Sequence, residues 1–191
     1  MKETIKLGII LLLFTAVAGG VLALSNSFTE PIIAERQKEE SLGAFFEMFA
    51  DADDFEDIEE SLLEEIQNNN DYVREIYEAK KGDETIGYAL KVSSTGYDGE
   101  ISTAVGINED GTIAGIENIS NTETKGIGTR IEDDEFTDSF IDKSTDSELV
   151  AVDSPAEEDE VQLLSGATIS TDGALKGING AREVFVDYLE D

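Results

Sequence analysis

The sequence predicts an α+β protein: one amino-terminal transmembrane helix, followed by a single domain in which an antiparallel β-meander is packed by helices. Three observations predict it. A long uncharged apolar stretch opens the chain, short β-like runs separated by Gly/Asp turns fill its middle, and amphipathic helical patterns flank those runs.

The opening helix is the plainest element. No charged residue lies between Leu7 and Thr29, and Leu7 to Leu24 is almost wholly apolar. At ~1.5 Å rise per residue, this is long enough for the ~30 Å hydrocarbon core of a bilayer. Lys2, Lys6 and the terminal amine precede it, whereas Glu30 and Glu35 come first on the other side. The positive-inside bias therefore predicts a single-pass protein of the cell membrane, with a cytoplasmic amino terminus and an extracytoplasmic carboxy-terminal domain. A cleaved signal peptide is the alternative, since Ala16-Val17-Ala18 offers small residues at a plausible spacing. The apolar run continues through Val21, Leu22 and Leu24, which favours an uncleaved anchor. The organisation expected is 1–29 for the cytoplasmic terminus and transmembrane helix, 30–70 for an acidic helical segment, and 71–191 for the folded domain.

Composition excludes several function classes. Forty-four acidic residues against thirteen basic ones give a formal charge of -31, so phosphate backbones are repelled and no nucleic-acid partner is expected. Cysteine and histidine are absent. That removes disulfides, iron–sulfur clusters, imidazole metal sites, and the Ser-His-Asp and Cys-His nucleophile systems. Redox chemistry, if present, needs an organic cofactor or a metal held by carboxylates. The Asp51, Asp53, Asp54 cluster matches no calcium-loop spacing, and no metal site is assigned.

Between 30 and 70 the pattern is helical. Leu42, Phe45, Phe46 and Phe49 share one face, and Phe55, Ile58, Leu62 and Ile66 are expected to continue it, as a stripe that packs on the sheet or on the anchor. Tyr72 to Ala79, Glu84 to Ser93, Glu100 to Ile107 and Thr112 to Ile119 read as consecutive strands. The Gly and Asp residues between them suit hairpin turns. A glycine-containing loop (121–130), a short helix near 134–141 and a strand near 148–153 should follow. An amphipathic helix carrying Ala174, Leu175, Ile178, Ala181, Phe185, Tyr188 and Leu189 on one face ends the chain.

Just before that helix lies Ser165-Gly166-Ala167-Thr168, a turn of small and hydroxyl residues. Free N–H groups and the macrodipole at a helix start favour an anion, so a phosphate is suited to it. Gly166 and Ala167 leave the Thr168 hydroxyl sterically open. The alternative is an ordinary cap, with Ser170 or Thr171 as N-cap.

Taken with Gly96-Tyr97-Asp98-Gly99-Glu100-Ile101, Val105-Gly106-Ile107, Asp110-Gly111-Thr112-Ile113 and Glu123-Thr124-Lys125-Gly126-Ile127-Gly128, that string gives the chain its resemblance to a known family. It resembles the flavin-carrying G subunit of Rnf ion-translocating electron-transport complexes, and more distantly the C subunit of sodium-translocating NADH:quinone reductases. The resemblance implies an FMN-binding domain, with FMN moved from FAD by a flavin transferase onto Thr168 as a phosphoester. It implies that Ser165, Gly166 and Ala167 form the attachment turn, and that Thr124, Gly126, Ile127 and Gly128 lie against the isoalloxazine ring. The partners implied are the other membrane subunits of the complex, the flavin transferase and the lipid bilayer. The role implied is an electron relay in a translocase that couples electron flow between ferredoxin and NAD to ion translocation, not an enzyme acting by itself.

The chain departs from the family pattern at two points. Lys125 and Ile127 stand where the loop usually has proline and leucine, and Gln162 stands where an acid commonly precedes the motif, with Glu160 nearby as a substitute. Lys125 is expected to be a positive charge near the flavin. A C-type quinone-reductase subunit and a non-redox acidic extracytoplasmic interaction module remain the alternatives.

Overall fold

The computed structural model describes residues 2–190; Met1, Asp191 and the side chains of Lys2 and Ala34 lie outside the description, and with them the terminal charges at Met1 and Lys2. Two compact units divide the chain, 1–39 and 40–191.

Helix α1 (Lys2–Met48) runs through Pro31 without interruption. In its first part the large apolar residues are exposed, Leu7, Phe14 and Leu22 among them, and by length and composition the helix can cross a membrane. A helix apolar on all sides is solvated by lipid rather than by water.

The segment 30–70 differs from the helical expectation. Helix α1 ends at Met48, and the next elements are strand β1 (Asp54–Asp57) and helix α2 (Glu60–Asn69). Phe55 therefore belongs to a strand and Ile58 to a connection, while Leu62 and Ile66 lie on α2. The acidic run 51–54 causes the break, because Asp is a poor helix former and neighbouring like charges repel. Two of those acids are engaged locally: Asp51 pairs with Lys81 at 2.9 Å, and Asp53 accepts the Gly82 N–H at 2.9 Å. Among the described residues no cluster of acids is arranged to hold a metal ion.

The meander forms as predicted. Strands β2 (Val73–Lys81), β3 (Glu84–Thr95), β4 (Glu100–Asn108) and β5 (Ile113–Asn121) follow β1 in a five-stranded antiparallel sheet of order β1-β2-β3-β4-β5. The tight turns use Gly82 and Gly111 at φ of 63° and 78°, a left-handed conformation that a Cβ disfavours. Side chains alternate between the faces. Ile76, Leu90, Val92, Val105 and Ile107 join the larger core beneath the carboxy-terminal helix, and Tyr77, Ala79, Ala89 and Ala104 meet Ala44, Phe45 and Phe49 at the end of α1. Small residues dominate this second face, which allows a helix to approach the sheet closely.

Strand β5 also carries Glu117, near Glu40 and Glu47 of α1. Desolvation first, then repulsion from Glu47 and Glu40, raises its pKa above the ordinary carboxylate value. A raised acid favours the folded state below its unfolded pKa, and that contribution is lost as pH rises through the folded value. Glu117→Gln should therefore raise the unfolding free energy measured in urea at pH 7, by about 0.5 kcal/mol or less because the site is solvent-screened. The gain should vanish near pH 4.

Beyond the sheet come a 3₁₀ turn (Gly128–Glu132), the short helix α3 (Asp134–Thr137) and a second 3₁₀ turn (Asp138–Phe140), in place of one helix over 134–141. Strand β6 (Val150–Val152) lies where a strand was expected and pairs in parallel with β7 (Glu160–Gln162), which the sequence reading missed. Helix α4 (Thr168–Val184) continues into a wider turn, Phe185–Leu189. Its predicted face is buried at Ala174, Leu175, Ile178, Ala181, Phe185 and Leu189, with Tyr188 half-buried.

Candidate functional site

Three segments converge at the amino-terminal end of α4: the turn 96–99 between β3 and β4, the loop 121–130 after β5, and the turn 164–167 that enters the helix. Between them lies a cleft of about 570 Å³, lined by Tyr97, Glu123, Thr124, Ile127, Gly128, Gly166, Ala167, Thr168, Ile169 and Ser170.

Thr168 is the first residue of α4 and is exposed on this cleft. The preceding turn closes through Ala167 N–H to Leu164 O at 2.9 Å, with Gly166 at φ 84°. Neither Ser170 nor Thr171 is the N-cap, in contrast to the capping alternative. Ala167 holds that position without a side-chain hydrogen bond, and both hydroxyl residues are buried in the first turn. Thr171 donates to Ala167 O at 3.1 Å and accepts the Leu164 N–H at 3.4 Å, which braces the turn from inside. Thr168 thereby remains free of capping work, at a helix end whose first N–H groups lack intrahelical acceptors.

The loop 121–130 is folded around one carbonyl. Thr124 O accepts the N–H groups of Ile127, Gly128 and Thr129 at 3.1, 2.9 and 3.3 Å, and Gly126, at φ 74°, donates to Thr129 Oγ1 at 2.9 Å. This presents Ile127 to solvent at the cleft, 52% exposed, and the same cleft is lined by Ile169 at 55% and Tyr97 at 68%. Large apolar groups this open offer a planar apolar ligand surfaces to cover.

Of the predicted site residues, Thr124, Ile127, Gly128, Gly166, Ala167 and Thr168 line the cleft together. Gly126 supports the loop from behind, and Ser165 contributes its carbonyl, which accepts from Arg130 Nη1 at 3.1 Å. Lys125 is exposed and lines a second hollow with Asn121, Thr122, Glu123, Thr129 and Glu132, which adjoins the cleft at Glu123. Glu160 accepts the Ala156 and Glu157 N–H groups at 2.9 and 3.1 Å, which lower its pKa, and Gln162 donates to Leu163 O at 2.8 Å. Both are occupied away from the cleft lining.

Sequence reasoning missed Tyr97, Glu123, Arg130, Ile169 and Ser170 as site residues. Tyr97 and Glu123 stood inside family landmarks but had no assigned role, and nothing local marks Arg130 as the residue that links the two loops. The third wall is set by close packing. A Cβ on Gly173 of α4 would lie 2.7 Å from Thr95 O and 2.8 Å from Gly96 Cα. Gly173→Ala gains about 1 kcal/mol of helix propensity. Overpacking against backbone costs up to about 3 kcal/mol, so the clash wins. A net loss of about 1–2 kcal/mol in urea unfolding is expected, with reduced cofactor uptake.

The cleft falls within a domain shared with known proteins. The family model of the FMN-binding domain matches residues 96–183, which contain every cleft residue, and that of the RnfG N-terminal region matches residues 1–48. The G subunit of the Na(+)-translocating ferredoxin:NAD(+) oxidoreductase complex of Acetobacterium woodii is 34% identical over 192 residues, spanning 96% of this chain and 92% of that one. The chain belongs to the family of Rnf-complex G subunits. The G subunit of the proton-translocating ferredoxin:NAD(+) oxidoreductase complex of Clostridium ljungdahlii is 29% identical, over 87% of this chain and 83% of its own. Among solved structures, the C subunit of the Na(+)-translocating NADH-quinone reductase from Parabacteroides distasonis shares the fold. Its TM-score is 0.51 at 17% identity, covering 82% of this chain and 96% of that one. NqrC of Shewanella oneidensis gives a TM-score of 0.51 at 18% identity, over 55% and 52%.

The cleft fits FMN on its own terms. Its volume lies within the ~300–1,000 Å³ of small-ligand sites. It joins apolar walls for a flat ring to a helix amino terminus suited to a phosphate. This member of the family thus has an FMN-binding domain, with Thr168 at the end of the cleft where an anion is favoured.

Proposed function

We propose that the chain relays electrons within a membrane-bound, ion-translocating ferredoxin:NAD(+) oxidoreductase complex, through FMN attached covalently by a phosphoester to Thr168. The observation that carries this reading is the exposed Thr168 at the start of α4, lining a cleft with Tyr97, Ile127 and Ile169.

Bound FMN supplies the reversible electron exchange that a chain without cysteine or histidine lacks. The protein holds and tunes it. Thr168 Oγ1 serves as the tether, and the first-turn N–H groups of α4 face the phosphate charge. Gly166 keeps the turn in a conformation that leaves the hydroxyl accessible. Ile127, Ile169 and Tyr97 exclude water from the ring. Attachment by a flavin transferase replaces the Thr168 O–H with an O–P bond, as the pyrophosphate bond of FAD breaks and AMP departs. A tether is physically apt here, because a free anionic cofactor is repelled by a chain of formal charge -31.

In this reading α1 crosses the cell membrane with its amino terminus in the cytoplasm, and the FMN domain stands outside, beside the other membrane subunits. The test is peptide mapping by mass spectrometry of the full chain co-produced with a flavin transferase. The peptide containing Thr168 should carry the FMN mass. Recovery of that peptide bare, from membranes where other flavin subunits are loaded, overturns the proposal.

A further inference from the structure

We propose that the buried carboxylate of Glu123 holds the reduction potential of the flavin in this cleft below the value that a neutral residue there would allow. The inference rests on the reading that FMN occupies the cleft.

Glu123 lines the cleft and is only 5% exposed. One carboxylate oxygen accepts the Asp98 N–H at 3.0 Å and the other accepts the Ser170 hydroxyl at 2.5 Å. Its own N–H donates to Asn121 Oδ1 at 3.0 Å. The side chain therefore joins all three walls: the 96–99 turn, the 121–130 loop and the first turn of α4. Among the described residues it has no ion-pair partner. Of the nearby cations, Arg130 is engaged with Ser165 O, Asp133 and Glu135, while exposed Lys125 shares with Glu123 the lining of the adjoining hollow and forms no ion pair with it.

The surroundings are shaped around this group. A Cβ on Gly128 would lie 2.6 Å from Glu123 Oε2, and one on Gly96 would collide with Glu123 Oε1. Two glycines and a serine, brought from separate segments, accommodate a carboxylate that has no salt-bridge partner among the described residues. If cross-linking were its whole role, a neutral amide would serve as well.

The electrostatic consequence has a definite sign. Reduction adds negative charge to a cofactor, and a neighbouring anion opposes it. In a site of low effective dielectric that opposition is stronger than in water, and a buried charge is screened little by salt. The excess acids on the surface act in the same direction but are screened. Salt therefore separates the two contributions.

The test uses the full chain loaded by a flavin transferase, with FMN content read by mass and the midpoint potential by spectroelectrochemical titration. Glu123→Gln keeps the shape: its Oε1 can accept from Asp98, and its amide can donate to Ser170 Oγ. It should raise the potential by the equivalent of roughly tenfold in the reduction equilibrium, about 59 mV for one electron, and the shift should persist at high salt. Ser170→Ala removes a donor from the carboxylate, leaves its charge less compensated, and should lower the potential.

An unchanged or lowered potential in loaded Glu123→Gln overturns the inference. Should that variant take up no FMN, Ser170→Ala decides alone: a fall supports the inference, and no change or a rise overturns it. Failure of both variants to load, where the wild-type chain loads, also overturns it, because the network then serves only to assemble the cleft. Absence of FMN from the wild-type Thr168 peptide is a different result, and counts against the cofactor assignment itself.

Discussion

Thr168→Val is expected to abolish covalent FMN incorporation completely while leaving the fold intact. Valine replaces threonine with nearly the same volume, and the two have similar helix propensities, so an exposed position at the start of α4 should lose only a few tenths of a kcal/mol. The acceptor oxygen, however, is gone. Neighbouring hydroxyls cannot replace it. Ser170 is buried and bonded to Glu123, and Thr171 is fully buried and bonded to Ala167 O. Ser165 is exposed, but Gly166 and Ala167 separate it from the helix start. Thr137→Val, at a hydroxyl outside the cleft lining, should retain the full FMN mass. Persistence of the adduct in Thr168→Val would place the attachment elsewhere.

Phe45→Ala should cause the largest loss of stability, about 3–5 kcal/mol, as expected for truncating a fully buried aromatic. Phe45 has no exposed surface, and its ring lies 5.7 Å from that of Phe55 and 5.9 Å from that of Tyr77. The smaller core on this side of the sheet is built largely from alanines, which cannot expand to fill a vacated ring. Phe46, the next residue, is 45% exposed and packs edge-on against Phe55 at 4.8 Å. Phe46→Ala should therefore cost about 1 kcal/mol. Urea unfolding of the two variants distinguishes an anchored helix end, for which the costs differ widely, from a loosely attached one, for which both are small.

Much of the fold was legible because its signals are local. The apolar run 7–24, the Gly and Asp turns of the meander, and the apolar stripe from Ala174 to Leu189 are each specified within one element. The strand at Asp54–Asp57 was not legible. Its acidic sequence has no strand character of its own, and it is extended because β2 supplies partners, Phe55 opposite Ala79. Strand β7 escaped notice for a similar reason: three residues are too few to show alternation, and the partner β6 defines it.

The turn 165–168 and the loop 124–128 could be named from sequence, but their meeting could not. Arg130 reaches Ser165 across thirty-five residues and Ser170 reaches Glu123 across forty-seven. No pattern of period two or 3.6 carries information over such separations.

By itself, then, the sequence determined the class of the protein. It has an apolar helix long enough for a bilayer, a meander closed by an amphipathic helix, no side chains able to ligate a metal through thiolate or imidazole, and a hydroxyl-rich turn at a helix start. Only the tertiary structure decided which hydroxyl is open, which is capped and buried, and which carboxylate faces the cleft. Those outcomes depend on burial and on contacts between distant segments, and such contacts exist only once the sheet has brought its turns and α4 to one end of the domain.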